Sequence, residues 1–208
     1  MTMRGLELQN LQITINGAPL VTVNTTVAPG QVVTIMGPSG VGKSTILAAI
    51  TGSLAPAFRF SGQVILNGTD VTRLPPPARR IGILFQEELL FPHLSVGANL
   101  AFGLQRGAKD RRAVIDAALN DIGLPGVADR DPATLSGGQK ARVALMRMLL
   151  SDPQALLLDE AFSKLDTDLR AQMRDLVFTH ARARDLPVLM VTHDHEDAAA
   201  AGGPVITL

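Results

Sequence analysis

The stretch Gly37-Pro38-Ser39-Gly40-Val41-Gly42-Lys43-Ser44-Thr45 decides the fold, because it matches the phosphate-binding pattern G-x-x-x-x-G-K-[ST]. Glycines have no Cβ, so their backbone N–H groups can approach and surround phosphate groups. Lys43 then supplies positive charge to the outer phosphates and Ser44 supplies a hydroxyl ligand for Mg²⁺. Apolar runs at 31–36 and 46–50 predict a strand before the loop and a helix after it. A chance glycine-rich turn is the alternative, and these flanks disfavour it.

The composition bounds the class of protein. The 208 residues carry 19 Lys and Arg against 19 Asp and Glu, and this neutral balance disfavours a nucleic-acid binder that works by bulk charge. The chain has no cysteine, so disulfides and thiol chemistry are excluded. No apolar run approaches the roughly 20 residues that span a bilayer, and we expect one soluble, cytoplasmic domain with a sizeable core. Its aromatic residues are seven Phe, with no Trp or Tyr.

Alternating apolar and polar residues predict an antiparallel sheet in the first third of the chain. The alternation covers 6–15 and 20–27, with Asn16-Gly17 as a turn signal between them. A further edge strand is predicted at 62–66, followed by the tight turn Asn67-Gly68.

Three apolar runs, at 81–85, 155–160 and 187–192, predict buried strands of a parallel sheet. The second run ends in Asp159 and Glu160, and His193 follows the third. Asp159 suits Mg²⁺ as a hard oxygen ligand, and Glu160 suits a base that activates water. Alone, such residues at strand ends are more often helix caps or surface groups. Together with Lys43 they are expected at one sheet edge, where ligands of such sheets bind.

Two segments each allow two interpretations, one leading into and one within the stretch 95–150, where the pattern turns helical. Leu135-Ser-Gly-Gly-Gln139 opens a helix and is either a second anion site or an ordinary capped helix. Leu90-Phe-Pro-His-Leu-Ser-Val96 carries apolar residues beside a proline. It is either a contact surface for a partner or a loop folded onto its own core.

The order of these motifs along the chain resembles the ATP-binding subunit of an ABC transporter. The motifs are the phosphate loop, Gln86, Leu135-Ser-Gly-Gly-Gln139, Leu158-Asp-Glu160, Ser163-Lys-Leu-Asp166 and His193. Gln86 followed by 90–96 resembles the importer ATPases, among them those of thiamine, iron, molybdate and polyamine importers. The long connection 54–62 and Asp131-Pro-Ala-Thr134 resemble the YnjD type in particular.

This resemblance implies an α/β fold: a RecA-like P-loop NTPase core with an antiparallel β subdomain and an inserted α-helical subdomain. The whole chain, 1–208, would be one ABC ATPase domain. Its core lobe would comprise about 1–86 and 152–208, and its helical lobe about 87–151.

The resemblance also implies a homodimer with two ATP molecules at its interface. Each ATP would lie between the phosphate loop of one copy and Ser136, Gly137, Gly138 and Gln139 of the other. Glu160 would polarise the attacking water and His193 would contact the terminal phosphate. Gln86 would sense Mg²⁺ and this water, and Asp166 would couple the two sites.

The implied partner is an integral membrane permease, which the helical lobe would contact through Phe91, Pro92, His93 and Leu94. The chain would act as a peripheral protein on the cytoplasmic face of the cell membrane, with a separate solute-binding protein and without nucleic acid. Nothing in the sequence indicates the cargo.

The sequence departs from the family pattern at two positions. Relatives usually place an aromatic ring near the end of the first strand, where it stacks on adenine, and here that position falls near Ile15. An aliphatic face can pack on adenine without π-stacking, so we expect weaker base discrimination. Ala161 replaces the proline that usually follows the catalytic glutamate.

Three other functions compete with an importer ATPase. A soluble ABC ATPase acting on DNA or ribosomes typically has tandem cassettes or coiled-coil insertions, and this chain has one phosphate loop and no heptad run. In a phosphate-loop kinase or GTPase the pentapeptide 135–139 and His193 would have no role. An export ATPase is the closest alternative, and only the segment 91–96 weighs against it.

Overall fold

The computed structural model describes residues 4–87, 89–104 and 107–208, which form a mixed α/β structure. The strands are β1 (Leu6–Ile15), β2 (Ala18–Val27), β3 (Val32–Met36), β4 (Phe58–Leu66), β5 (Thr69–Asp70), β6 (Ile81–Leu84), β7 (Ala155–Asp159), β8 (Val188–Thr192) and β9 (Val205–Thr207). The helices are α1 (Lys43–Thr51), α2 (Pro76–Arg79), α3 (Val96–Gly103), α4 (Arg111–Asp121), the 3-10 helix Pro132–Thr134, α5 (Gly137–Leu149), α6 (Thr167–Ala183) and α7 (His195–Ala201).

The chain divides into two compact units, each with segments that are distant in sequence. The first unit lies within Met1–Ile83, Gln154–Glu160 and Phe178–Leu208. The second unit lies within Leu84–Pro153 and Ala161–Val177. Both sheets belong to the first unit, except for Leu84 at the end of β6. The second unit contains α3, α4, the 3-10 helix, α5 and the first part of α6.

The antiparallel sheet of the first unit has the strand order β2-β1-β4-β5. Asn16-Gly17 joins β1 to β2, and Asn67-Gly68 joins β4 to β5. All four of these turn residues have positive φ, at 51°, 80°, 50° and 77°. Two-residue hairpin turns of type I′ need this backbone, which Asn-Gly adopts readily, and both predicted turns are confirmed.

The start and the position of β4 differ from the prediction. The strand begins at Phe58 rather than Gly62, and it lies between β1 and the two-residue β5 rather than at the sheet edge. Its added residues pair with the end of β1, with Phe60 opposite Ile13 and Phe58 opposite Ile15. Both rings pack against the buried core, which favours extension of the strand.

The second sheet has the order β6-β7-β8-β3-β9, and β3, β7, β8 and β9 are parallel. All five residues of β3 and of β8 are buried, as their continuous apolar sequences predict. Edge strand β6 is less buried than predicted, because Ile81 and Ile83 are only half-buried. The expected combination of a parallel and an antiparallel sheet is confirmed.

The register of the parallel sheet determines where the candidate site lies. Met36 of β3 lies opposite Thr192 of β8. Asp159 of β7 lies opposite Val191 of β8. Residues that follow β3, β7 and β8 therefore emerge at the same carboxyl edge of the sheet.

Buried Arg79 stabilises the far end of α1. Its guanidinium donates hydrogen bonds to the carbonyl oxygens of Ala49 and Ile50, in the last turn of the helix. It also donates to the carbonyls of Thr72 and Leu74. Carbonyls at a helix C-terminus have no intrahelical hydrogen-bond partner, and the Arg79 guanidinium supplies one to several of them. Its positive charge also interacts favourably with the negative end of the α1 helix dipole.

The second unit is built around close approaches between helices. α3 begins with the side chain of Ser95 accepting a hydrogen bond from Ala98 N–H, and Gly97 N–H donates to the carbonyl of Ala128. α3 ends beside α5, where a Cβ at Gly103 would collide with the carbonyl oxygen of Arg147. Small residues thus let two helix backbones approach each other.

Candidate functional site

The phosphate loop, Gly37–Gly42, joins buried β3 to α1. Gly40 and Gly42 have φ of 85° and 104°, in the region that residues with a Cβ avoid. A Cβ at Gly42 would also lie 3.3 Å from Cγ of Leu20. The loop therefore needs glycine for its backbone conformation and, at Gly42, also for space.

The ammonium group of Lys43 lies at the centre of the loop. Nζ donates hydrogen bonds of 2.7 Å to the carbonyl of Gly37 and 3.0 Å to that of Pro38. It also lies 3.7 Å from Oε1 of Glu160, and the lysine side chain is 4% exposed. A buried cation held by carbonyls and one carboxylate is ready to bind anionic oxygens of a ligand.

Ser44 and Asp159 form an adjacent pair of oxygen ligands. The hydroxyl of Ser44 donates a 2.9 Å hydrogen bond to Oδ1 of Asp159. Burial raises the pKa of Asp159, and the charge of Glu160 adds to this, whereas the Ser44 hydrogen bond and Lys43 oppose it. A divalent cation would balance this desolvated carboxylate, and a hydroxyl with a carboxylate is a donor set that fits Mg²⁺.

Glu160 lies between two cationic or potentially cationic groups. Its φ of 47° is unusual for a residue with a Cβ, and its N–H donates a 3.0 Å hydrogen bond to the carbonyl of Val191. Its carboxylate approaches Lys43 through Oε1 and Nδ1 of His193, at 3.3 Å, through Oε2. The unusual backbone directly after β7 holds this carboxylate at the sheet edge.

His193 follows β8 and precedes the short helix α7. Asp194 caps that helix, because its Oδ1 accepts hydrogen bonds from the N–H groups of Glu196 and Asp197 at 2.8 and 3.4 Å. The His193 side chain is 53% exposed. One ring nitrogen faces Glu160, which leaves Nε2 for a ligand.

Ile15, the predicted adenine neighbour, is half-buried at the last position of β1. It pairs with Ala18 on one side and Phe58 on the other. The contact of Ile15 with a base stays a prediction.

In the second unit, the pentapeptide forms the start of α5. Ser136 Oγ accepts a hydrogen bond from Gln139 N–H, and Gln139 Oε1 accepts one from Ser136 N–H, which is a complete capping box. A Cβ at Gly138 would lie 2.5 Å from Cδ2 of Leu169. A Cβ at Gly137 would meet no described atom within 4 Å, so packing among the described residues explains the second glycine and not the first.

Two side-chain contacts join the segment after β6 to the segment before α6 in the same unit. Nε2 of Gln86 donates a 2.9 Å hydrogen bond to the hydroxyl of Ser163, and Lys164 lies 2.9 Å from Glu87. Asp166 caps α6, because its Oδ1 accepts a 3.0 Å hydrogen bond from an N–H in the first turn of that helix. These contacts give Gln86 and Asp166 structural partners and leave their predicted roles as predictions.

The loop Phe91–Leu94 is held by one buried side chain, Asn99 of α3. Asn99 Oδ1 accepts a 2.8 Å hydrogen bond from Phe91 N–H. Its Nδ2 donates to the carbonyls of Phe91, Leu94 and Ser95 at 3.1, 3.2 and 3.0 Å. The loop therefore has a fixed conformation, in which Phe91 and Leu94 are half-buried and Pro92 and His93 are exposed.

A groove of ≈ 430 Å³ lies beside this loop. Its lining, all from the second unit, combines apolar and charged side chains: Glu87, Leu89, Leu90, Pro92, Pro132, Ala133, Lys140 and Lys164. Such a concave, partly apolar surface is suited to a protein partner.

The first unit contains the predicted phosphate-loop residues and all the predicted metal and catalytic residues except Gln86: Gly37, Pro38, Ser39, Gly40, Val41, Gly42, Lys43, Ser44, Thr45, Asp159, Glu160 and His193. The other candidates belong to the second unit or, for Ile15, to the end of β1. Sequence reasoning missed Asn99 as the residue that holds the loop. An amide within the apolar stretch Val96–Phe102 was the available signal, because buried amides need partners.

The comparisons with known proteins agree with this geometry. A family model described as ABC transporter matches residues 20–163. The relative named "Uncharacterized ABC transporter ATP-binding protein YnjD" from Escherichia coli (strain K12) is 51% identical over 183 residues, covering 87% of this chain and 84% of the relative. The relative named "Thiamine import ATP-binding protein ThiQ" is 46% identical in Yersinia pseudotuberculosis, covering 83% of this chain and 73% of the relative. The protein of that name from Jannaschia sp. is 44% identical, covering 93% of this chain and 84% of the relative.

Within the part of the chain that the structure describes, no helix is both long and apolar enough to cross a membrane. The family model covers more than half of the chain, and the relatives align along most of their own length. This chain therefore belongs to the ABC transporter family, in which it is an ATP-binding subunit and an ATPase.

Proposed function

We propose that this chain hydrolyses Mg²⁺-bound ATP to drive an importer, with two copies of the chain acting on an integral membrane permease. One observation carries the proposal: Lys43, Asp159, Glu160 and His193 converge on one sheet edge beside the phosphate loop. Phosphoryl transfer depends mainly on positioning and charge neutralisation, and these four side chains are suited to both.

Backbone N–H groups of the loop and of the first turn of α1 bind the phosphates. Lys43 exchanges its contacts with the carbonyls of Gly37 and Pro38 for contacts with phosphate oxygens. Ser44 and Asp159 would hold the metal, and Gln86 would contribute a further ligand. When bound, Mg²⁺ neutralises charge on the outer phosphates.

Glu160 accepts a proton from the attacking water, whose oxygen bonds to the terminal phosphorus while the bond from phosphorus to the bridging oxygen of ADP breaks. His193 contacts the terminal phosphate through Nε2, and its contact with Glu160 at 3.3 Å holds both groups in place. Lys43 stabilises the charge that develops on the phosphate oxygens. Gln86 contacts the attacking water and links the site to the segment facing the partner.

We further propose the family's division into lobes, with a core lobe (1–86 and 152–208) and an inserted α-helical lobe (87–151). In the homodimer each ATP lies between one phosphate loop and Ser136–Gly138 of the second copy. The open space around Gly137 supports this arrangement, because packing against the described part of the chain gives no reason for a glycine there. Asp166 couples the two ATP sites across the interface.

The permease contact is proposed at the Phe91–Leu94 loop and the groove beside it, on the cytoplasmic face of the membrane. The conformation that Asn99 imposes on this loop supports a role as a docking surface. Import is favoured over export by the names of the thiamine import relatives. An importer of this kind also uses a separate solute-binding protein, and the cargo is selected by those partners.

Copurification tests this proposal. We would tag the Glu160→Gln variant, express it in its native host and identify the proteins that copurify from solubilised membranes with Mg-ATP. An integral protein with several spans supports the transport function, and a solute-binding protein alongside it supports import. Recovery only from the soluble fraction, with ribosomal or DNA-repair proteins, would overturn the transport role and leave the ATPase chemistry intact.

A further inference from the structure

Arg147, in the last turn of α5, has an unusual environment for a cation. Its guanidinium carbon lies 5.0 Å from the ring centroid of Phe91, and Nη1 donates a 3.3 Å hydrogen bond to Oδ1 of Asn99. Burial lowers the pKa of Arg147. Among the described residues, no carboxylate forms an ion pair with it.

These contacts place Arg147 beneath the Phe91–Leu94 loop. Phe91 is contacted by Arg147 and, edge to face at 4.7 Å, by Phe102. The same Asn99 oxygen accepts hydrogen bonds from Phe91 N–H and from Arg147. The guanidinium thus contacts both the ring at the start of the loop and the amide that holds its backbone.

A stability role alone does not explain this choice of residue. Arg147 is half-buried. Removing part of a cation's surface from water without a carboxylate partner among the described residues is costly, and an apolar side chain of similar length would fill the site at a lower cost. A planar guanidinium differs from such a side chain because it can stack on a ring and donate a hydrogen bond at the same time. Arg147 can therefore contact the Phe91 ring and the Asn99 amide together, which links these two side chains.

The other end of the same helix carries the pentapeptide. α5 begins at Gly137, and Arg147 lies on the same continuous helix, about 15 Å away at 1.5 Å per residue. We infer that Arg147 is a positioning residue that transmits movement of the Ser136–Gly138 turn to the Phe91–Leu94 loop. The inference rests on the proposed function, in which ATP of a second copy binds that turn and the permease contacts that loop.

Amide hydrogen exchange in the ATP-free protein tests the contact itself. Arg147→Met should speed exchange of the 90–96 peptide by about tenfold, the size expected for a partly desolvated cation–π contact, and Arg147→Lys should give a smaller increase. The matched control is Arg182→Met, because Arg182 contacts the Phe178 ring at 5.9 Å in the first unit. Exchange within 141–146 of α5 should not change. An unchanged loop, or equal loosening of α5 itself, would overturn the inference.

The same measurement in a Glu160→Gln background, with and without Mg-ATP, tests transmission. ATP should slow exchange of both the 135–139 and the 90–96 peptides. Adding Arg147→Met should abolish the effect at 90–96 and retain the effect at 135–139. Retention at both peptides would overturn the positioning role. Absence of protection at 135–139 in both proteins would instead refute the two-copy ATP site, and the ATP-free comparison would still decide the Arg147 contact.

Discussion

Two helices of this chain begin at glycine-containing turns, and they differ in how their first N–H groups are satisfied. α1 follows Gly42, whose φ is 104°, and within the described residues no side chain caps it. α5 follows Ser136, and its capping box uses the side chains of Ser136 and Gln139. The first N–H groups of α1 are therefore available to a bound anion, whereas those of α5 are partly satisfied by its own cap. We propose that α1 supplies most of the phosphate affinity of a single copy, and that α5 contributes when a second copy is present.

The largest expected effect is on the α1 side of this comparison. Lys43→Ala removes the buried cation of the phosphate loop, and we expect ATP hydrolysis to fall by at least about 10²–10³-fold, the effect of losing one preorganised donor to a charged transition state. Steady-state phosphate release measures this. Lys109→Ala, at an exposed position in the second unit, is the matched control. Turnover retained by Lys43→Ala would refute the phosphate-loop assignment.

Substitutions at the two adjacent glycines of α5 should distinguish an effect on ATP hydrolysis from an effect on packing. Gly137→Ala has open space and a helical position, so stability should stay the same or rise, while hydrolysis should fall by about tenfold because the methyl group obstructs the nucleotide of the second copy. Gly138→Ala meets Leu169 and should lower the free energy of unfolding by about 1–2 kcal/mol.

Urea unfolding and phosphate release, measured on both variants, test this separation. Adding Leu169→Ala should relieve the packing defect of Gly138→Ala, which is the control for the steric cause. If the Gly137→Ala dimer hydrolyses ATP at the normal rate, the prediction that the nucleotide of the second copy lies close to this turn is refuted.

The catalytic edge of the sheet could be predicted from the sequence because short, continuous stretches of residues specify it. Continuous apolar runs specify β3 and β8, and residues that end parallel strands must share one edge, so Lys43, Asp159, Glu160 and His193 could be grouped without a structure. Their grouping is observed, and their roles stay predictions. The start of β4 at Phe58 was missed because its pairing with Ile15 depends on contacts with the core that are distant in sequence.

The arrangement around the Phe91–Leu94 loop could not be predicted in the same way. Asn99 and Arg147 are 48 positions apart, and neither belongs to a motif with a fixed spacing. Their contact depends on how α3 packs against α5 and on the close approach at Gly103. A polar residue within an apolar helical run indicates that a buried partner exists, but the partner is set by tertiary packing.

A smaller effect is expected from the cap of α5. Ser136→Ala removes one half of the capping box and should lower the free energy of unfolding by about 1 kcal/mol. Ser136→Gly, which costs only a few tenths of a kcal/mol at such positions, is the control for the loss of the side chain. Thermal and urea unfolding without nucleotide measure both variants. An unchanged stability in Ser136→Ala would mean that the N-terminus of α5 is not satisfied by its own cap, and the contrast with α1 would disappear.

The smallest expected effect concerns the base of the nucleotide. If α1 and its loop supply most of the affinity, ATP and GTP should bind almost equally, because their phosphates are identical and Ile15 offers no aromatic ring. We expect their dissociation constants to differ by less than about tenfold, since π-stacking adds only about 0.5–1.5 kcal/mol. Calorimetry on the Glu160→Gln variant measures both without turnover. Ile15→Tyr should tighten ATP binding by up to about tenfold, the equivalent of that stacking energy, and Thr14→Tyr, one position away on the other side of β1, should not. If the protein with Ile15 bound ATP more than tenfold more tightly than GTP, another part of the chain would have to discriminate between the two bases.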